Sequence, residues 1–355
     1  MGSSKFVNIC GAQFGGGAPV RVESMLKTPL DNADGCIAEL DALRQSGCEL
    51  ARVAFPDERC KADLKYIAEK SGVPVMADIH FNHKFAVAAL DCGVTSIRIN
   101  PGNMTNRDGL ASVISAAKAN GAVIRIGANG GSLGSRHTAS YEDRASALVG
   151  AVEEQVRQLT DMNFQDIIIS AKSSSVPETV RANFMLSAKY PFPLHIGITE
   201  AGGGMEGAVK SASGLAVLLS QGIGDSVRVS LTGDSVSEVR VAYAVLRSLE
   251  LRKRGVNMIS CPGCGRRRVD VGALCERVKA ILPVDMPDGV TIAVMGCEVN
   301  GPREAAAADI GIAGTKSGFI LFKDGNSAAS GEIGELEKVF SPCLRDLLAK
   351  RVSRR

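Results

Sequence analysis

Ser96-Ile97-Arg98-Ile99-Asn100 is followed by Leu110, Val113, Ile114 and Ala117 at helical spacing and by Gly121. Then comes Val123-Ile124-Arg125-Ile126-Gly127-Ala128-Asn129. Two short apolar runs joined by an amphipathic stretch make a strand–helix–strand unit, and the glycine marks the end of the helix. Both runs are short and largely apolar, as strands covered on both faces should be. The same unit repeats on either side. Upstream, strands are expected at Val20–Met25, Leu50–Phe55 and Val75–Ile79, and downstream at Asp166–Ala171, Leu194–Thr199 and Ser226–Leu231. Helices alternate with them. The first is expected to be capped by Asp34, with Ile37, Leu40 and Leu43 on one face, and the last to run from Ser235 to about Arg252. Eight such units at so even a spacing predict an α/β chain whose residues 1–253 form a (β/α)8 TIM barrel. An open doubly wound sheet is the alternative, but it does not usually keep so regular a beat.

Beyond Gly255 the beat breaks. Strand-like runs at Val256–Ser260, Thr291–Met295 and Phe319–Phe322, with a helix around Val271–Ile281, predict a small α/β domain over 254–355. The first two runs each lead into cysteine: Cys261-Pro262-Gly263-Cys264-Gly265-Arg266, and Gly296-Cys297-Glu298-Val299-Asn300-Gly301-Pro302-Arg303-Glu304. Two strand ends would bring three sulfurs into one loop layer, a donor set suited to a soft metal centre. A C-P-x-C-G sequence also opens zinc ribbons. A tetrahedral zinc site wants a second close pair, which this chain lacks, so an iron–sulfur cluster is the favoured reading and structural zinc stays open. Of the remaining cysteines, Cys36, Cys48, Cys60, Cys92 and Cys275 lie in or beside helical patterns and read as packing residues.

Composition narrows the function classes. Among 355 residues, 45% are hydrophobic, enough for a sizeable core, and the net charge of +3 is too small to argue for nucleic acid or an anionic membrane. Aromatic residues are 4% with no Trp, which speaks against a stacking platform for single-stranded nucleic acid. No apolar run is long enough to span a bilayer and no signal-peptide core is seen, so a cytoplasmic protein with reduced cysteines is expected.

In a barrel the chemistry sits at the C-terminal ends of the strands. There the chain carries Arg52, Asp78 with His80, Arg98 with Asn100, Arg125 with Asn129, Lys172, Glu200, and Arg228 with Ser230. Five of the eight strands thus bring a cation to the mouth, with Asp78 and Glu200 the main carboxylates in view. Cations sharing a cleft repel, and a polyanion relieves them. Arg suits bidentate phosphate contacts, so a diphosphate-like ligand is expected. A phosphorylated small molecule beside a redox cluster suggests reductive chemistry.

These residues fall in Pro19-Val20-Arg21-Val22-Glu23-Ser24-Met25, Arg52-Val53-Ala54, Ala77-Asp78-Ile79-His80-Phe81, Arg98-Ile99-Asn100-Pro101-Gly102-Asn103, Arg125 to Asn129 with Gly131-Ser132-Leu133, Thr199-Glu200-Ala201-Gly202 and Arg228-Val229-Ser230-Leu231-Thr232. With both cysteine motifs, they resemble the 4-hydroxy-3-methylbut-2-enyl diphosphate synthases of the methylerythritol phosphate route to isoprenoids, over nearly the whole chain. The resemblance implies reductive ring opening and dehydration of 2-C-methyl-D-erythritol 2,4-cyclodiphosphate, with electrons from ferredoxin or flavodoxin. It implies a [4Fe–4S] cluster on Cys261, Cys264, Cys297 and Glu304, a diphosphate gripped by Arg52, Arg98, Arg125, Lys172 and Arg228 with His80 and Ser230, and Glu200 as acid–base residue. It also implies a head-to-tail homodimer in which each cluster caps the partner's barrel. An eighth helix of some 18 residues, about 27 Å long, would start the cluster domain at the far face of its own barrel, in keeping with such a dimer. A monomer whose linker folds round the barrel is the alternative.

Two positions depart from the family pattern. Arg303 stands where the family has glycine before Glu304, and Glu23 where it has glutamine. The competing functions are a non-redox phosphate-binding transferase with a zinc domain, and a non-catalytic iron–sulfur sensor.

Overall fold

The structure, a computed structural model, describes residues 2–79, 82–101, 107–133, 140–283, 286–299 and 308–352. His80 and Glu304, together with Arg303, lie outside the described residues. The chain divides into two compact units, Met1–Arg252 and Lys253–Arg355.

The first unit opens with a hairpin, β1 (Phe6–Ile9) and β2 (Ala12–Gly15). Eight parallel strands follow: β3 (Arg21–Met25), β4 (Leu50–Ala54), β5 (Val75–Asp78), β6 (Ser96–Arg98), β7 (Val123–Asn129), β8 (Ile167–Lys172), β9 (His195–Ile196) and β10 (Ser226–Val227). Their order around the sheet is β8-β7-β6-β5-β4-β3-β10-β9, and a parallel bridge from Ile169 to Leu194 joins the two ends. The sheet is therefore a closed TIM barrel, as the repeat predicted. Among the described residues the helices between and after the strands include α1 (Ala33–Ser46), α2 (Lys61–Lys70), α3 (His83–Asp91), α4 (Arg107–Ala119), α5 (Arg144–Thr160), α6 (Val176–Lys189), α7 (Gly204–Ser220) and α8 (Ser235–Ser248).

Two helix ends differ from expectation. Asn32, not Asp34, caps α1, its side chain accepting from the Gly35 N–H, which leaves Asp34 in the first turn near the positive end of the helix dipole. Helix α8 stops at Ser248 after 14 residues, roughly 21 Å, because Leu249 leaves the helix and Glu250 adopts φ 58°.

Side-chain alternation along the strands explains the barrel's layers. Outward residues such as Ala51, Val53, Ala77, Ile124, Ile126, Ile167 and Ile169 pack against the helices in the main core. The first inward residues, Leu50, Met76, Val123 and Ile168, form a second cluster with Val7, Ile9 and Phe14 of the hairpin, which plugs the bottom. Two residues further along the same strands come Arg52, Asp78, Arg125 and Ser170. The polar pocket is thus the next storey above a dry floor.

The second unit is a five-stranded sheet in the order β11-β12-β13-β14-β15. Strands β11 (Asn257–Ser260), β12 (Thr291–Met295) and β13 (Ile310–Thr315) run parallel, and β14 (Gly318–Lys323) and β15 (Asn326–Gly331) follow antiparallel. Helices α9 (Val271–Ile281) and α10 (Leu336–Val352) complete it. Leu274, Val278, Ile292, Ile312, Leu321, Phe340 and Leu344 build its separate core. Among the described residues no helix is long and apolar enough to cross a membrane.

Candidate anion pocket and cysteine loops

Arg52, Arg98, Arg125, Lys172 and Arg228 all line one cavity of about 200 Å³ at the C-terminal ends of the barrel strands, together with Asp78, Asn129 and Ser230. Met25, Ser170 and Thr199 complete much of the wall, and none of these three was singled out from the sequence. Asn100 follows β6, half-buried, but is not part of the lining. Glu200 also stands outside the lining, exposed on the loop after β9 with φ 52°. A non-glycine residue in the left-handed region carries strain, which the surrounding structure must hold in place.

The sequence suggested that the five cations would be short of counter-ions, and here the structure corrects it. Arg52 lies 3.5 Å from Asp78 and 3.9 Å from Glu23, and Arg98 lies 3.4 Å from Asp78. Arg125 is paired directly with Glu23, and Arg228 lies 3.3 Å from Glu238. Glu238 sits on α8, wholly buried, and also accepts from Ser24 Oγ at 2.9 Å and from the Leu231 N–H at 3.1 Å. Its role could not be read from strand-end positions because it reaches in from a helix.

Lys172 differs from its neighbours: among the described residues no carboxylate pairs with it. Burial, and then the charges of Arg125 and Arg52, hold its ammonium pKa well below the usual lysine value. Three carboxylates among five basic side chains leave two positive charges in excess if every group is ionised, a suitable match for a diphosphate.

Beneath the cavity, His195 on β9 is fully buried. Its Nδ1 lies 2.9 Å from Ser226 Oγ, and its Nε2 lies 3.7 Å from Glu23 Oε1. Burial, and then the charges of Lys172 and Arg125, push its pKa well below 6.5, so the ring is neutral. For Glu23 burial acts to raise the carboxyl pKa, but Arg125 and Arg52 outweigh it and the net shift is downward. Glu23 stays ionised at neutral pH.

In the second unit, β11 and β12 pair in parallel, Ser260 beside Val294. That register places Cys261 and the Gly296-Cys297 loop next to each other. The Gly296 N–H donates to Cys261 Sγ at 3.1 Å, and the Arg268 N–H donates to the Gly296 carbonyl at 2.7 Å. Cys264 is exposed and Cys297 buried. Arg268 and Glu298 approach to 3.6 Å across the two loops. Among the described residues no three His, Cys, Asp or Glu side chains are gathered into a metal-binding group. The donor set nevertheless fits an iron–sulfur centre: soft sulfurs from neighbouring strand ends, with a backbone N–H aimed at one of them, suit thiolate ligands. Cys36, Cys48, Cys92 and Cys275 are buried, as packing residues should be, and Cys60 is partly so.

Comparison with known proteins bears on both units. Residues 4–243 match the family model of the GcpE TIM-barrel domain, and residues 257–345 that of the GcpE protein C-terminal domain. The chain belongs to the GcpE family. Similar curated proteins include two named 4-hydroxy-3-methylbut-2-en-1-yl diphosphate synthase (flavodoxin). The one from Maridesulfovibrio salexigens is 47% identical over 313 residues, 88% of this chain and 87% of that protein. The one from Desulfotalea psychrophila is 42% identical over 349 residues, 97% of this chain and 96% of that protein. Among solved structures, a type I 3-dehydroquinate dehydratase from Clostridium difficile is similar with a TM-score of 0.51. It is 8% identical and covers 69% of this chain and 98% of its own, a likeness of fold alone. The cation pocket and the cysteine loops thus lie in segments that match models of one family, and the relatives' names do not favour a zinc-bearing transferase.

Proposed function

We infer that this chain is a 4-hydroxy-3-methylbut-2-en-1-yl diphosphate synthase, acting in isoprenoid biosynthesis. Its substrate is 2-C-methyl-D-erythritol 2,4-cyclodiphosphate. The ring carbon–oxygen bond to phosphate breaks, one oxygen leaves as water, and two electrons and two protons enter. The observation that carries this reading is the pocket of five basic side chains, two charges in excess of its carboxylates, in a GcpE-family chain that also keeps the three cysteines.

Arg52, Arg98, Arg125, Lys172 and Arg228 bind the diphosphate and fix its orientation, with Ser230 and His80 adding hydrogen bonds. Asp78 aims Arg52 and Arg98, and Asn129 and Asn100 contribute polar groups near the rim. Glu200 serves as the acid–base residue for the oxygen that leaves as water, from an exposed place in a strained turn after β9. Cys261, Cys264, Cys297 and Glu304 would hold a [4Fe–4S] cluster, which when bound supplies one-electron reducing power and an exchangeable iron site. The relatives' names support reduced flavodoxin as donor, with ferredoxin the second possibility. A head-to-tail homodimer working in the cytoplasm accords with the family resemblance.

Anaerobic purification followed by turnover of the cyclodiphosphate with a chemical reductant tests this reading. Brown, iron-loaded protein that forms the linear diphosphate is the expected result. Colourless, zinc-loaded protein would overturn the cofactor assignment. Brown protein that leaves the substrate intact would point to a sensor.

A further inference from the structure

Glu23 is a negative charge at the floor of a pocket built for anions. It is 1% exposed, paired with Arg125, 3.9 Å from Arg52 and 3.7 Å from His195. The arrangement around it is incomplete. Glu23 Oε1, Arg125 Nη2, Arg228 Nε and His195 Nε2 are all buried and have no hydrogen-bond partner among the described residues. Leaving such atoms unmatched is costly, and the two guanidinium nitrogens belong to side chains that line the cavity above. Both arginines therefore have donor capacity that Glu23 and Glu238 do not use.

We propose that Glu23 is an internal counter-ion that competes with the diphosphate for Arg125 and Arg52, and so sets how tightly this pocket holds its ligand. The proposal rests on the reading of the pocket as a diphosphate site. In the empty pocket the carboxylate cancels part of the repulsion among Arg52, Arg125 and Lys172 and keeps Arg125 in place. When a diphosphate enters, the same carboxylate repels it and retains a share of Arg125. The ligand is held less firmly than the cations alone would hold it, and a diphosphate product leaves more readily. Grip that acts equally on substrate and product does not speed the chemical step, so weakening it favours turnover. Glu23 is a positioning residue, acting through the arginines.

The full-length chain with inorganic diphosphate supplies the test, by titration calorimetry and thermal unfolding at fixed pH and ionic strength. Glu23→Gln keeps the side chain's shape and removes its charge. Without ligand, Glu23→Gln should unfold at a lower temperature than wild type, because the cations lose their neutraliser. Its dissociation constant for diphosphate should nevertheless fall, on the order of tenfold. A purely structural role would lower stability as well but would weaken binding, so the direction of the affinity change separates the two. Equal or weaker binding by the variant, with wild type binding normally, overturns this proposal alone. Wild type giving neither heat nor a thermal shift overturns the pocket assignment as well. If Glu23→Gln does not fold, a crystal structure of wild type with inorganic diphosphate decides. Arg125 turned from Glu23 toward a phosphate oxygen is expected, and an undisturbed Arg125–Glu23 pair with the anion held elsewhere overturns it.

Discussion

Lys172 and His195 are basic side chains whose burial lowers their pKa values, and this makes stability depend on pH. The folded pKa of His195 lies below its unfolded value of 6.5. The stability tied to that difference is fully present above 6.5 and is lost as the pH falls toward the folded pKa, because only the unfolded chain takes up the proton in that window. A series of unfolding midpoints from neutral to acid pH should therefore fall less steeply for His195→Gln than for wild type. Lys172→Met removes the mouth's cation that has no carboxylate of its own. It should leave ligand-free stability equal or raised while weakening diphosphate binding by at least about tenfold, read by calorimetry. Much of this pocket was legible in the sequence. Arg52, Arg98, Arg125, Lys172 and Arg228 stand at or just past the ends of apolar runs, and the barrel topology dictates which ends face the mouth. The partners were legible only in part: Asp78 stands at a strand end and Glu23 showed as an acid near the mouth, but the pairing of Glu23 with Arg125 from a neighbouring strand was not legible, nor was Glu238, which comes from a helix that follows the eighth strand.

At the scale of elements, the strands announced themselves wherever Ile and Val dominate, and the ones that were missed lack that chemistry. Strand β15 reads Asn326-Ser327-Ala328-Ala329-Ser330-Gly331, with no β-branched aliphatic or aromatic residue, and β13 is interrupted by Gly311 and Gly314. Helix α10 contains Pro342, which disguises its periodicity. The N-terminal hairpin is not legible in the sequence, since its four-residue strands are too short to show a pattern. One glycine in the barrel wall has a direct steric reason. A Cβ on Gly127 of β7 would stand 2.3 Å from the Ser170 carbonyl oxygen and 2.8 Å from the Ser170 Cβ on β8. Gly127→Ala should therefore cost about 1–3 kcal/mol, measured by denaturant unfolding, and reduce diphosphate affinity because Ser170 and Arg125 border the same cavity. Ala128, one residue on, faces the helices and tolerates its methyl group.

For the molecule as a whole, the barrel and the cysteine-bearing sheet each have a core of their own, and the reaction as proposed draws on groups from both. If each cluster serves the partner's barrel, the two defects should complement. A mixed preparation of Glu200→Gln and Cys297→Ser chains should regain part of the activity that either lacks alone, up to about a quarter of wild type if subunits pair at random; absence of recovery in verified mixed dimers would rule out the shared site. The barrel itself carries a weak flank. Strands β9 and β10 are two residues each, and β8 meets β9 through the Ile169–Leu194 bridge, with the Ile169 N–H donating to Pro193 and the Thr199 N–H to Ser173. Slow amide hydrogen exchange should therefore fail here first. Lys172 stands on one side of that seam and Arg228 on the other, so an anion clasped by both acts as a rivet, closing the cylinder where its backbone stitching is thinnest.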